Sequence, residues 1–245
     1  MLKMNILRLA ETKSTNSYAV SLLSQKRPDE GFVVITDHQT HGKGLETNSW
    51  ESEAGKNLTF SIILYPDFEA EHQFTLNKAI SLGIHDFLLN EINNVKASIK
   101  WPNDIYLNDK KACGILIQNS LIGNRFDYTI VGIGLNVNQM MFYSDAPNPI
   151  SMKMITGREY NLEGLLERLH KAILIRYSQV KTTPRGIDRD YRNALYRIKE
   201  WCYYEVKKSV IYGKITGTNE YGQLLIETEN GPVMVCDLKE VKFLF

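Results

Sequence analysis

The chain has 245 residues, 43% of them apolar and 23% charged, which suits one sizeable core or a larger body with a small satellite. Lys+Arg of 29 against Asp+Glu of 28 leaves a net charge of +1, without the bulk basic excess by which nucleic-acid binders displace counterions from phosphate. Cys113, Cys202 and Cys236 are odd in number and far apart, which argues against a disulfide framework or paired zinc ligands and for a reducing compartment. The opening Met1-Leu2-Lys3-Met4-Asn5 has no sustained apolar stretch and no small-residue cleavage site, and no run is long enough to span a bilayer. The expectation is a cytoplasmic protein without membrane attachment.

A first helix is expected to start near Ser14-Thr15-Asn16, with Tyr18, Ala19, Leu22 and Leu23 on its inner side. Residues 32–35 read as a buried strand. The polar stretch 36–56 contains Gly42, Gly44 and Gly55 and is long for a plain connection, and such loops are commonly functional or disordered. Residues 58–62 alternate as a half-buried strand does. Leu76, Ala79, Ile80, Gly83, Ile84, Phe87 and Leu88 recur at helical spacing and predict a helix over 71–92. Short strands follow at 95–101, 105–107, 112–118 and 126–132, separated by the turn residues Asn108-Asp109 and Gly123-Asn124. Short turns imply antiparallel pairing, so the core is α+β rather than a doubly wound parallel sheet.

Pro147 and Pro149 mark a loop after Tyr143. Leu162, Leu165, Leu166, Leu169 and Ile173 predict an amphipathic helix, and a basic helix is expected over 188–196. Strands at 210–216, 223–229 and 233–237 follow, with Asn230-Gly231 as a hairpin signal. A small β-barrel is thus expected over 198–245, behind a body formed by 1–197.

Four polar segments punctuate this pattern. Ser14-Thr15-Asn16 suits a helix N-cap, or a set of short donors and acceptors gripping a polar head group. Gln39-Thr40-His41-Gly42-Lys43-Gly44, followed by Trp50 and by Gly55-Lys56-Asn57, lets backbone amides and an ammonium approach an anion, although solvated loops share that composition. It is not a Walker loop, because Lys43 lacks the required glycine spacing and a following Ser or Thr. In Lys100-Trp101-Pro102-Asn103-Asp104-Ile105-Tyr106, Pro102 interrupts the ladder, and a return through Asn108-Asp109 can bring Lys111 back beside Asp104. Such a cluster can hold Mg²⁺ through Asp104 and Asn103 while Lys100 and Lys111 face phosphate. A plain hairpin with surface lysines stays open. Gly132-Ile133-Gly134-Leu135-Asn136-Val137-Asn138 is either a glycine-loosened strand end or backbone suited to close approach of a ligand. His38, His41, His72, His85 and His170 lack metal-ligand spacing, and no Gly-x-Ser-x-Gly elbow supports a serine hydrolase.

Taken in order, these segments resemble the biotin–protein ligase family, most clearly from Glu11 to Asn138. The resemblance implies a mixed, mostly antiparallel sheet flanked by helices, of the class II synthetase type, with a small C-terminal SH3-like β-barrel. It implies ATP-dependent activation of biotin to biotinyl-5′-adenylate, then transfer to a lysine of a biotin carboxyl carrier protein domain of a biotin-dependent carboxylase. In that reading Ser14, Thr15, Asn16, Gln39, Gly42, Lys43, Gly114, Gly132 and Gly134 bind biotin. Gly44, Trp50, Asn57, Lys100, Asn103, Lys111 and Asn136 bind ATP or the adenylate. Lys111, Asp104 and Lys43 carry the chemistry, with Mg²⁺ on Asp104 and Asn103. The loop 36–56 becomes a lid that orders when biotin arrives.

The family loop commonly carries further arginines and a glycine, whereas here Leu45 and Thr47 stand at two such positions, so faster loss of the adenylate is expected. The ligase motifs begin by Glu11, leaving no room for the helix-turn-helix domain some members carry, so no DNA binding is expected. Exposed strand edges allow a homodimer. The rival readings are a lipoate or octanoyl-protein ligase and a non-catalytic binding module.

Overall fold

A computed structural model of the chain describes residues 4–45, 48–144, 148–229 and 231–244. Seven strands form the main sheet: β1 (Ile6–Thr12), β2 (Phe32–Gln39), β3 (Leu58–Leu64), β4 (Ala97–Lys100), β5 (Asp104–Leu107), β6 (Lys110–Ile122) and β7 (Arg125–Leu135). Their order is β1-β2-β3-β7-β6-β5-β4. Only β1 and β2 pair in parallel within this sheet, and every other neighbour is antiparallel. The expected α+β class holds. The edge strand β1 escapes a reading by pattern, because half-buried and exposed residues mix along it without a clean alternation.

The sheet is covered on both faces. On one lies α1 (Thr15–Leu23), where Ala19 and Leu22 pack with Val34, Ile63 and Ile130. On the other lie α2 (Gln73–Glu91), the short α3 (Met152–Thr156), α4 (Leu162–Thr182) and α5 (Pro184–Ala194), over a core that includes Phe60, Ile62, Leu76, Ile80, Ile84 and Leu169. Gly83 of α2 sits where a Cβ would lie 2.6 Å from Ile173 Cα, so glycine permits the α2–α4 approach. The basic helix starts four residues before the expected 188, with Pro184 in its first turn, where the missing N–H costs nothing.

Strand β3 corrects the sequence reading. It is buried along its whole length rather than half-buried. Leu58, Phe60 and Ile62 join the main core, while Thr59 and Ser61 point to the opposite face and find polar partners there. The alternation is real, but both faces are covered.

A second sheet contains β8 (Trp201–Val206), β9 (Ser209–Thr218), β10 (Leu224–Thr228), β11 (Met234–Cys236) and β12 (Val241–Phe243), in the order β11-β10-β9-β8-β12. It is antiparallel throughout and SH3-like. Strands β10 and β11 pair as expected of a hairpin, although Asn230 itself lies outside the described residues, as do Thr47 and Pro147. This barrel is fixed to the body near the third motif. Trp101 Nε1 donates to Gly222 O at 2.8 Å, and Phe74 packs so closely that a Cβ on Gly222, already at φ +86°, would lie 2.3 Å from its ring. Phe243 adds ring contacts to Tyr196 and Tyr204. Among the described residues no helix is long and apolar enough to cross a membrane.

Candidate active site

All four motifs meet at one cavity of about 430 Å³. Its polar end lies at the start of α1. Ser14 makes no cap bond with its side chain, and Thr15 and Asn16 are buried. Thr15 donates to Gln39 Oε1 from its backbone N (2.8 Å) and its hydroxyl (3.2 Å). Ser61 donates towards Thr15 Oγ1 and Asn16 Oδ1, each at 2.7 Å, and Asn16 Nδ2 donates to Leu116 O at 3.1 Å. This is more than an N-cap. Four side chains are held in place by one another beside a cavity that Ser14, Thr15, Asn16 and Gln39 line. Ser61 was not singled out from sequence; its signal was a second hydroxyl, two residues after Thr59, inside a strand otherwise apolar.

The floor is backbone. Gly114 and Gly134 are register partners on β6 and β7, and the Trp50 indole lies across them. A Cβ at Gly134 would sit 2.2 Å from Trp50 Cε2, and one at Gly114 3.0 Å from Cζ3. At Gly132 a Cβ would meet Asn16 Oδ1 at 2.3 Å. The strand thus lacks side chains where Trp50 and Asn16 must come close. Trp50 Nε1 is buried without a hydrogen-bond partner, an orphan donor of the kind found where a ligand belongs.

The charged end is made by β4, β5 and β6. Trp101-Pro102 is a cis peptide, and the turn sets Lys100 opposite Asp104 in the ladder. A register shift between Ile105 and Tyr106 pairs Tyr106 with Lys111, and such bulges re-aim side chains beside active sites. Lys111 Nζ reaches Asp104 Oδ1 at 2.8 Å, with both side chains mostly buried, and lies 5.7 Å from the Trp50 ring centroid. Burial pulls the Lys100 ammonium below its usual range; Lys111 and Arg197 push the same way, and Asp104 opposes them. Asn103 Nδ2 donates to Ile115 O at 2.6 Å, which pins the turn to β6. Cys113 is buried nearby, and burial pushes its thiol up, so it is no nucleophile.

Lys43, Gly44 and Leu45 enter the cavity from the loop after β2. The barrel supplies Leu238, Val241, Lys242 and Phe243 to the same wall. The barrel's part was not legible, because nothing in a short strand such as β12 says which surface it meets.

Three expected site residues are not on the wall. Gly42 is turned to its own loop: its carbonyl accepts from Trp50 N at 3.0 Å, and a Cβ would lie 2.4 Å from Trp50 O. Asn57 is buried and committed elsewhere, accepting from Val137 N at 2.9 Å and donating to Gln139 Oε1 at 2.5 Å. Asn136 Nδ2 donates to Ile150 O at 3.2 Å, and its backbone N bonds Ala112 O. Both asparagines brace the loop after β7 rather than face the cavity.

Residues 9–136 match the Biotin/lipoate A/B protein ligase family, the stretch that carries the first three motifs and the fourth as far as Asn136. The chain belongs to this family. The bifunctional ligase/repressor BirA of Bacillus subtilis is 31% identical over 230 residues, covering 89% of this chain and 68% of that protein. The biotin--[acetyl-CoA-carboxylase] ligase of Paracoccus denitrificans is 30% identical over 179 residues, covering 71% and 73%. Among solved structures, the biotin protein ligase of Aquifex aeolicus in complex with biotin and ATP superposes with a TM-score of 0.80 at 28% identity, covering 97% of each chain.

Within the family frame, the donor set can be tested for a metal. Asp104 is the sole carboxylate among the described wall residues, and it is already paired with Lys111. One carboxylate beside two lysines cannot cage a dication by itself. It fits Mg²⁺ that arrives on the phosphates of a nucleotide and needs only one or two protein oxygens.

Proposed function

We propose that this chain activates biotin with ATP as biotinyl-5′-adenylate and transfers the biotinyl group to a lysine of a biotin carboxyl carrier protein domain. The observation that carries the reading is the cavity itself. A prearranged polar end, a flat glycine floor and a Lys111–Asp104–Lys100 cluster occur in one enclosure. The reaction needs those parts in that order: head group, ring and chain, then carboxylate meeting phosphate.

In the first step a biotin carboxylate oxygen attacks the α-phosphorus of ATP, and pyrophosphate leaves. Lys111 neutralises charge on the carboxylate and α-phosphate as it concentrates in the transition state, and Asp104 holds the ammonium in place. Lys100 adds positive charge on the nucleotide side, and Lys43 adds it from the lid. Mg²⁺ would be held by Asp104 and Asn103 and would neutralise the phosphates. In the second step a carrier lysine, as the free amine, attacks the anhydride carbonyl and AMP departs. Water must be kept out between the steps, and Trp50 with Lys43, Gly44, Leu45, Asn48 and Ser49 lines that part of the cavity. Leu45 and the barrel's Leu238 line the same two cavities, apolar side chains where a guanidinium would hold phosphate, which fits the faster adenylate loss expected from sequence. Residues 1–197 form the catalytic unit and 198–245 the barrel that completes its wall. ATP use and three free cysteines suit the cytoplasm.

The family also includes lipoate ligases, and the polar end argues for biotin. The ureido group of biotin can add bonds to those that Ser14, Thr15, Asn16 and Gln39 already offer this end of the cavity, whereas the dithiolane of lipoate has no hydrogen-bonding group with which to meet them. The test is the mass of a carrier domain incubated with this chain, ATP and either acid. The expected result is one biotinyl increment on a lysine and none with lipoate. Lipoylation without biotinylation overturns the choice of acid. Binding of biotin with no modification of any carrier and no AMP formed favours the non-catalytic module.

A further inference from the structure

Glu51 follows Trp50 in the chain but does not line the cavity. Its carboxylate reaches away, across to the segment after β7. Tyr143 N donates to Oε1 at 2.9 Å and Oε2 at 3.1 Å, Ser144 N donates to Oε2 at 2.7 Å, and Gln139 Nε2 donates to Oε1 at 3.3 Å. Among the described residues it forms no salt bridge with Lys, Arg or His. Charge-assisted bonds of this kind are stronger than neutral ones. Burial alone would raise the Glu51 carboxyl, but the bonds from Ser144, Tyr143 and Gln139 outweigh it and hold the group below its usual range.

Asn148 and Ile150 grip Lys111. Lys111 N donates to Asn148 O at 2.8 Å, and Ile150 N donates back to Lys111 O at 2.9 Å. Asn136 fastens that end through Ile150 O, and Gln139 Oε1 fastens the other by accepting from Glu53 N at 2.9 Å and from Asn57 Nδ2. Glu51 and Glu53 thus meet Gln139, and Asn136, three residues earlier, meets Ile150 and Ala112 beside Lys111. This gives Asn57 and Asn136 a purpose away from the cavity wall.

We propose that Glu51 is a positioning residue that couples Trp50, through Gln139 and Asn136, to the residues bracing Lys111, so that an acid bound beside Trp50 and ATP bound beside Lys111 strengthen one another. The proposal rests on the ligase reading for its ligands but not for its mechanical part. Breaking the link leaves each half-site built and removes their mutual effect.

Two measurements on the full chain test it. Amide hydrogen exchange without ligand compares the wild type with Glu51→Ala and Glu51→Gln. In Glu51→Ala, exchange should quicken at Tyr143 and Ser144, which lose their acceptor, and also about tenfold at Gly44 and Trp50 in the lid and at Lys111 and Ile150. Glu51→Gln retains one acceptor oxygen and should lie between the two. Calorimetry then measures biotin affinity with and without a non-hydrolysable ATP analogue. In the wild type the analogue should tighten biotin about fivefold or more, and in Glu51→Ala the ratio should fall to about one while each ligand alone binds within a few-fold of wild type. A merely structural loop contact would quicken Tyr143 and Ser144 alone and leave the ratio intact, and that result overturns the proposal. If the wild type fails to bind biotin, the ligase reading falls, and unchanged lid exchange in Glu51→Ala still decides against the coupling.

Discussion

Lys111→Ala is expected to slow biotinyl-adenylate formation by about a hundredfold or more, the range seen when one preorganised donor to a developing charge is removed. The loss should fall on kcat more than on the KM for biotin. The ammonium acts where charge concentrates in the transition state, and the head group is held elsewhere, by Thr15, Asn16 and Gln39. Removing Lys111 also strips Asp104 of its 2.8 Å partner in a mostly buried place, so Asp104→Asn/Lys111→Ala is the informative companion. If Lys111 acts through its own charge, the double variant stays as slow as the single one. Single-turnover formation of the adenylate from labelled biotin measures both, and a near-wild-type rate in Lys111→Ala removes the residue from the chemistry.

Gly134→Ala should disable the site from the other side. The new methyl would lie 2.2 Å from Trp50 Cε2 and 2.4 Å from Nε1, on strand backbone that cannot move away from a seven-stranded sheet. The indole must leave its slot, and the lid it carries loses its seat. Overpacking of this kind costs about 1–3 kcal/mol, so biotin should bind roughly ten- to a hundredfold more weakly. Gly186→Ala is the control, because its Cβ meets nothing nearer than 3.6 Å and lies on a helix. Titration of biotin against Trp fluorescence or heat checks both variants. Equal affinity in Gly134→Ala and wild type would show that the indole need not sit on β7.

The two variants mark what the sequence carried and what it hid. Lys111 was legible because a proline, two asparagines and a turn sit between it and Lys100, and hairpin geometry alone returns it to Asp104. The helices α2 and α4 were legible by period. Gly134 was legible as a loosened strand or as a place of close approach, but not as the seat of Trp50, since what lies over a glycine is decided by a residue far away in the chain. Asn57 and Asn136 were read as ligand contacts because an amide offers the same donor and acceptor to a ligand or to a loop, and here the loop takes both ends of Asn57 and the donor of Asn136. Ser61 and the barrel residues Val241 and Phe243 were missed for related reasons: their neighbours come from β-sheet register and barrel docking, which no local pattern encodes. The edge strand β1 and the short β12 lacked the alternation that would have announced them.

The central claim is that one cavity joins a biotin carboxylate to the α-phosphate of ATP with Lys111 beside the reacting atoms. Exchange of labelled pyrophosphate into ATP tests it most directly, because it needs adenylate formation and reversal but no carrier. The account predicts exchange that requires biotin, is not supported by lipoate, and falls about a hundredfold or more in Lys111→Ala. Exchange that proceeds without any acid, or none at all with biotin saturating, would contradict it.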